Sequence, residues 1–318
     1  MTGSAAAGTP GVELPRREIP GSRVWIPVMG QGTWGMGEAR ARFAAEVEAL
    51  RLGIEEGLTL IDTAEFYGAG GAERVVGEAV RDCRERVFLV TKLWPSHAGR
   101  SEALAALSSA LKRLGTEYVD AVLLHWPTRS VPLEETLAAF REMRERGLAR
   151  FTGVSNFDLR WLQAAGRALG SGERLVFDEI PYGLGDRRAE RSVLPWVREH
   201  GLLALAYSPL AHGRFRRWQG WERLEALARR LGRTATQLAL AWLVRQPAVV
   251  AIPKAVRPEH IRQNAEAARL PLDEATLAEI EAAFPAPGRE LRPALPPYNL
   301  FFRLAWAATH RRAPGGPA

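Results

Sequence analysis

Three short apolar runs in this chain each end in an ionisable group. Residues 60–62 end in Asp62, residues 88–92 in Lys92, and residues 121–125 in His125. The spacings are 30 and 33 residues, about one strand–helix–strand step. Tyr67 follows Asp62 by five positions. If the runs are parallel neighbouring strands, a carboxylate, an ammonium and an imidazole emerge at one sheet edge with a phenol above them. Such a set suits proton delivery to a developing alkoxide. A phenol is a poor acid alone, with a reference pKa near 10. An adjacent ammonium favours its phenolate and lowers that value, and Asp62 would keep Lys92 charged and oriented. His125 would donate a hydrogen bond to the substrate oxygen. No side chain donates hydride, so this chemistry requires a nicotinamide cofactor. Taken singly, each residue also has an ordinary structural role: Asp62 in a turn, Tyr67 in packing, Lys92 solvated, His125 in the core. Their coincidence at one edge is what points to chemistry. A Schiff base on Lys92 is a weaker alternative.

The elements that must position these groups follow in order. After a lead-in over residues 1–11, two short β-like runs flank Pro20 and Gly21, a hairpin signal. Strands are expected at 28–30, 58–61, 87–90, 119–124, 151–154, 175–180, 202–206 and 249–252. Helices are expected at 39–56, 72–80, 101–114, 133–146, 158–169, 189–199, 221–231, 235–244, 258–268 and 273–283. Gly115 and Thr234 read as helix caps. Short, nearly continuous apolar strands suit a sheet buried on both faces. Eight βα units predict an α/β fold, a single-domain (β/α)8 TIM barrel over residues 12–284 with an N-terminal β-hairpin. Its chemistry belongs at the strand C-terminal ends. The glycine-rich stretch 30–37 lacks the GxGxxG spacing of a dinucleotide-binding turn. Residues 285–318 form a C-terminal tail whose Tyr298, Phe301, Phe302 and Trp306 are candidates for a substrate loop.

Composition sets the outer limits. The chain has 318 residues, 47% hydrophobic and 25% charged, as ordinary globular proteins do. No apolar run is long enough for a transmembrane helix, and the first residues do not read as a signal peptide. Cys83 is the single cysteine, so no disulfide forms within the chain. A reducing, cytoplasmic setting fits. Arginine far outnumbers lysine, and the net charge is +7. Without an aromatic-basic stripe or zinc-finger spacing, that charge favours a small phosphorylated ligand over nucleic acid. No metal site is expected, and the oligomeric state stays open.

Asp62-Thr-Ala-Glu-Phe-Tyr67-Gly, Thr91-Lys92, Leu124-His125-Trp-Pro, Gly153-Val-Ser-Asn-Phe157, Tyr207-Ser-Pro-Leu210 and Ile252-Pro-Lys254 together resemble the aldo-keto reductase family, over about residues 24–283. The resemblance implies a (β/α)8 barrel that reduces aldehyde or ketone carbonyls with NADPH. Tyr67 is then the proton donor, tuned by Lys92 and Asp62, with His125 orienting the carbonyl. It also implies that Ser155 and Asn156 hold the nicotinamide carboxamide and that Tyr182 stacks on the ring. Ser208, Leu210 and Gly213 would embrace the pyrophosphate, Lys254 would meet the 2′-phosphate, and Asn264 would contact adenine. Arg214, Arg216, Arg217 and Arg257 add positive charge nearby. Trp34, Phe66, Trp94 and Trp126 follow the first four strand ends and are candidates for an apolar substrate pocket.

The chain departs from the family in places. Asp178-Glu179 stands where Asn-Gln is usual, and Glu179 can accept a hydrogen bond from the carboxamide but, ionised, cannot donate one. Its charge would favour the oxidised ring over NADPH. Gly183 replaces a frequent Asn. His260 stands where an arginine often grips the 2′-phosphate, which leaves room for NADH, while Lys254 and Arg257 argue for NADPH. The rival reading is a nucleotide-binding regulatory barrel with little turnover.

Overall fold

In the computed structural model, residues 13–291 are described, apart from 171, 287 and 289. The lead-in and the tail aromatics Tyr298, Phe301, Phe302 and Trp306 lie outside the described residues. The chain opens with an antiparallel hairpin, β1 (Arg16–Ile19) and β2 (Val24–Pro27). Eight parallel strands follow: β3 (Gln31–Gly32), β4 (Leu60–Asp62), β5 (Phe88–Leu93), β6 (Val119–Leu124), β7 (Ala149–Ser155), β8 (Phe177–Pro181), β9 (Leu203–Tyr207) and β10 (Val249–Ala251). They lie side by side in sequence order. The sheet curls until its two edges touch. Met29 bridges Ala251 in parallel, and the Gly30 N–H donates to the Ala251 carbonyl at 2.8 Å.

The first strand is shorter than its apolar run predicts and lies further along, at 31–32. Its backbone is crowded against both neighbours. A Cβ on Gly30 would sit 2.5 Å from the Leu60 carbonyl oxygen, and one on Gly32 would sit 2.7 Å from that of Ile252. Glycine is what lets the two sheet edges approach.

Ten helices are present among the described residues: α1 (Phe43–Glu55), α2 (Gly71–Val80), α3 (Arg100–Leu114), α4 (Leu133–Glu145), α5 (Leu159–Ala168), α6 (Val193–Glu199), α7 (Trp221–Arg230), α8 (Ala235–Arg245), α9 (Pro258–Arg269) and α10 (Glu274–Ala283). Their ends follow local chemistry. Thr234 and Gln237 form a reciprocal capping box on α8, and Asp158 caps α5 by accepting from the Trp161 N–H. Gly115 ends α3 at φ 63°, the left-handed conformation glycine adopts most easily. The expected helix over 189–199 is split. A 3₁₀ turn covers Arg188–Arg191, and Ser192, at φ −146°, starts α6 anew.

Strand residues alternate between two cores, as period-two geometry requires. Leu60, Val90, Leu123, Phe177, Leu205 and Val250 point into the curl and pack with Ile19 and Ile26 of the hairpin. Their neighbours Ile61, Leu89, Val122, Val154, Ile180 and Ala204 pack outward with the helices. The hairpin is tied down by Arg17, whose guanidinium donates to the Val249, Val244 and Gln246 carbonyls at 2.7–2.8 Å. It thereby seals the N-terminal end of the curl. No helix among the described residues is long and apolar enough to cross a membrane.

Candidate active site

Counting by two along the inward face reaches the site directly. Leu60 leads to Asp62, Val90 to Lys92, Leu123 to His125, Phe177 to Glu179 and Leu205 to Tyr207. These polar side chains cap an apolar interior at the C-terminal rim. The register agrees: Ser155 is level with Glu179 across β7 and β8, and Pro181 with Tyr207 across β8 and β9.

Lys92 is the hub, with a side chain at 0% exposure. Its ammonium lies 2.6 Å from Asp62 Oδ1, 3.1 Å from the Thr63 carbonyl oxygen and 3.1 Å from the Tyr67 hydroxyl. Glu179 Oε2 stands 3.2 Å from the same nitrogen, outside good hydrogen-bond alignment, and has no other partner. Burial alone would drive the Lys92 proton off, but Asp62 and Glu179 outweigh it and hold the ammonium charged. Glu179 goes the other way. Burial, reinforced by Asp62, pushes its carboxyl well above the usual range against the pull of Lys92.

The structure corrects the expectation for Tyr67. Lys92 does favour the phenolate, but burial is the larger effect, and Asp62 and Glu179 add to it, so the hydroxyl is held above its ordinary value. Tyr67 therefore carries its proton throughout the physiological range. His125 is held neutral, well below the usual imidazole range, by burial and then by Lys92. Its ring lies 5.5 Å from that of Tyr67, and its buried Nδ1 has no hydrogen-bond partner.

Aromatic rings wall this cluster. Phe66 stacks on Trp94 at 4.3 Å, Trp94 meets His125 edge-on at 5.3 Å, and Trp34 meets Tyr67 edge-on at 5.0 Å. Trp34 is 47% exposed, so an apolar ring stands at the entrance. Trp126 follows His125 and is half-buried. The loop carrying Trp94 is anchored by Glu65, whose buried carboxylate accepts from the Trp94 N–H at 2.6 Å and meets His97 Nδ1 at 2.8 Å. No pattern in the sequence marks this bracket.

The nucleotide candidates divide. Ser155 and Asn156 sit at the rim beside His125 and Glu179. The Asn156 amide donates to the His125 carbonyl and to Ser155 Oγ, both at 3.0 Å, and accepts from the Tyr207 hydroxyl at 2.7 Å. It is a cross-brace between β6 and β9. Tyr182 does not serve as expected. Counting from Glu179 turns it outward, where it packs in the outer core near Trp242 and donates to Glu190 at 2.8 Å. At 1% exposure its ring has no open face on which a nicotinamide could stack. Tyr207 is the tyrosine on the inward face, half-buried and packed on the inner core. Inward parity at the end of β9 was the signal for it.

Ser208, Leu210 and Gly213 occupy the turn after β9. Ser208 and Gly213 take positive φ, at 48° and 80°, and Ser208 Oγ meets His212 Nε2 at 2.9 Å. Lys254, Arg257 and His260 follow the neighbouring strand β10 and are all exposed. Neither Lys254 nor Arg257 makes an ion pair among the described residues. Asn264 is buried in α9. Two orphaned buried polar atoms, Glu179 Oε2 and His125 Nδ1, and two exposed cations without an ion pair among the described residues fit a dinucleotide ligand with a phosphate end. No group of three His, Cys, Asp or Glu that could hold a metal is found among the described residues.

Comparison with known proteins settles the family. The sequence pattern of the Aldo/keto reductase family matches residues 28–284. The chain belongs to the aldo/keto reductase family. Among its relatives, methylglyoxal reductase YeaE of Escherichia coli is 44% identical over 268 residues, covering 83% of this chain and 93% of that protein. Methylglyoxal reductase DkgB of Escherichia coli O157:H7 is 30% identical, covering 78% of this chain and 89% of that one. Among solved structures, an aldo/keto reductase of Klebsiella pneumoniae in complex with NADP and acetate superposes with a TM-score of 0.82. It shares 42% identity and covers 86% of this chain and 96% of that one. In this aldo/keto reductase, the curled parallel sheet with its surrounding helices is the architecture that superposition matches.

Proposed function

We propose that this aldo/keto reductase is a single-domain (β/α)8 barrel over residues 12–284 that reduces aldehyde or ketone carbonyls to alcohols with NADPH. Family membership supports the activity, as do relatives named methylglyoxal reductases and a related structure holding NADP. The observation that carries the residue assignment is Lys92 Nζ placed 3.1 Å from the Tyr67 hydroxyl and 2.6 Å from Asp62. Small carbonyls such as methylglyoxal are the first substrates to test.

NADPH, when bound, supplies the hydride. Everything else falls to the chain. Neutral His125 donates a hydrogen bond to the carbonyl oxygen and fixes its direction. Tyr67 passes its hydroxyl proton to that oxygen as negative charge develops there. The phenolate left behind faces Lys92, whose ammonium stabilises it, and Asp62 keeps Lys92 in place. One proton from solvent then restores the phenol. Trp34, Phe66, Trp94 and Trp126 shield the reacting centre from water. Lys254 and Arg257 receive the 2′-phosphate, with Ser208, Leu210, Gly213, His260 and Asn264 along the rest of the nucleotide. Glu179 accepts from the carboxamide, and Tyr207 replaces Tyr182 as the stacking ring.

The test is loss of NADPH absorbance with a panel of aldehydes, ketones and methylglyoxal. Turnover is expected. Tight NADPH binding with no turnover on any carbonyl would instead favour a regulatory barrel, the reading that the Glu179 carboxyl keeps alive.

A further inference from the structure

We propose that Glu179 is a proton-linked redox discriminator: it holds a proton in the free enzyme and beside NADPH, and releases that proton to solvent when the site holds NADP+. The inference rests on the cofactor assignment above and adds to it a role for a residue that departs from the family pattern.

The geometry is a charge imbalance. One ammonium, Lys92, serves two buried carboxyls. Asp62 takes the aligned 2.6 Å hydrogen bond. Glu179 is left at 3.2 Å, misaligned, with no donor on Oε2 and its carboxyl set against that of Asp62. If both carboxyls were ionised, the trio would carry a net negative charge in a space closed to water. Such a charge is costly to bury and is relieved by taking up a proton. Among the described residues, Lys92 is the one cation recorded against either carboxyl. Titratable groups reach this space from the packed elements around it: Asp62 from β4, Tyr67 from the turn after it, Lys92 from β5, His125 after β6 and Tyr207 from β9. His125 and both tyrosines are neutral. Asp178, one residue back along β8, faces outward toward the start of α5, where Asp158 is its charged neighbour. Between the two carboxyls, the one with the poorer contact to Lys92 takes the proton, which is Glu179.

The chemistry then adds one positive charge. The carbon that gains hydride is bonded to the oxygen Tyr67 protonates, so the nicotinamide must reach the space above the Tyr67 hydroxyl. That hydroxyl is 3.1 Å from Lys92 Nζ, which is 3.2 Å from Glu179 Oε2. An oxidised ring is cationic and a reduced ring is neutral. In a dry site the cation supplies the missing counter-charge, and the Glu179 O–H bond breaks with its proton leaving to solvent. By linkage, NADP+ binds more tightly as pH rises, approaching tenfold per pH unit, while NADPH shows no such slope from this group. A glutamine there has no proton to release.

The experiment is calorimetric titration of the full chain with NADP+ and with NADPH, in two buffers of different ionisation enthalpy, for the wild type and Glu179→Gln. Both cofactors carry the same 2′-phosphate, so its own titration cancels in the comparison. The expected result is more proton release with NADP+ than with NADPH in the wild type, by up to about one proton, and no difference in Glu179→Gln. Equal release for the two cofactors in the wild type overturns the proposal. So does a difference that survives in Glu179→Gln. If neither dinucleotide binds the wild type, the cofactor assignment itself is what fails.

Discussion

The ammonium of Lys92 stands 3.1 Å from the phenol oxygen of Tyr67, at the closed inner edge of an aromatic-walled entrance. Because burial holds the phenol protonated, the pair is set to give a proton rather than to take one. Tyr67→Phe removes that proton and little else. It is expected to bind NADPH as the wild type does, while carbonyl reduction falls by about 10²–10⁴-fold. Steady-state rates alongside cofactor fluorescence titration check this. A variant that still reduces methylglyoxal at the wild-type rate would remove Tyr67 from its assigned place.

Lys92 also matters to stability. Lys92→Met leaves Asp62 and Glu179 facing each other without a counter-charge. Breaking a buried pair from one side typically costs about 3–5 kcal/mol. The urea midpoint should fall accordingly, and Asp62→Asn in the same chain should recover part of the loss. No recovery would mean that Lys92 is not what offsets the buried Asp62 charge.

Asp178 gives a prediction with a pH signature. Burial pushes its carboxyl well above the usual range. The folded chain therefore keeps this proton to higher pH than the unfolded chain does. Its contribution to stability is fully present below the unfolded value, near 3.9, and is lost as pH rises through the folded value. Asp178→Asn is expected to raise stability by about 1–3 kcal/mol at pH 8, and by nothing near pH 4. Thermal melts of both chains across that range decide it.

Lys254 separates the two cofactors. It is exposed, without an ion pair among the described residues, and belongs to no packed core. Lys254→Ala should weaken NADPH about tenfold and leave NADH nearly unchanged, the size of one charge-assisted contact. The gap should narrow as salt is raised. Equal losses for both cofactors would move the 2′-phosphate elsewhere.

Much of this was legible in the chain itself. The eight apolar runs and their spacing gave the sheet, because strands buried on both faces need uninterrupted apolar residues. Asp62, Lys92 and His125 stood out because three successive runs, one strand–helix–strand step apart, each end in an ionisable group. What the sequence hid was which way side chains point where a strand gives way to a loop. Tyr182 and Tyr207 both follow apolar runs, and only the register at β8 and β9 shows that one faces the helices and the other the interior. The balance on Tyr67 was hidden for a different reason. A nearby ammonium can be inferred from residue types, whereas the larger effect of burial depends on how tightly the rim closes. Glu179 was visible as a departure from the family, but its nearness to Asp62 comes from strands far apart along the chain.

The inward count by two has one more consequence. A single-codon deletion between Phe88 and Lys92 would turn the rest of that strand over, sending the ammonium among the helices and bringing a neighbour inward. Loops and helix tails can gain or lose residues and leave the chemistry intact. Within β4, β5, β6, β8 and β9 the reading frame of the pleat is itself under constraint, so natural length variation in this protein should collect in loops and helix tails and avoid those strands.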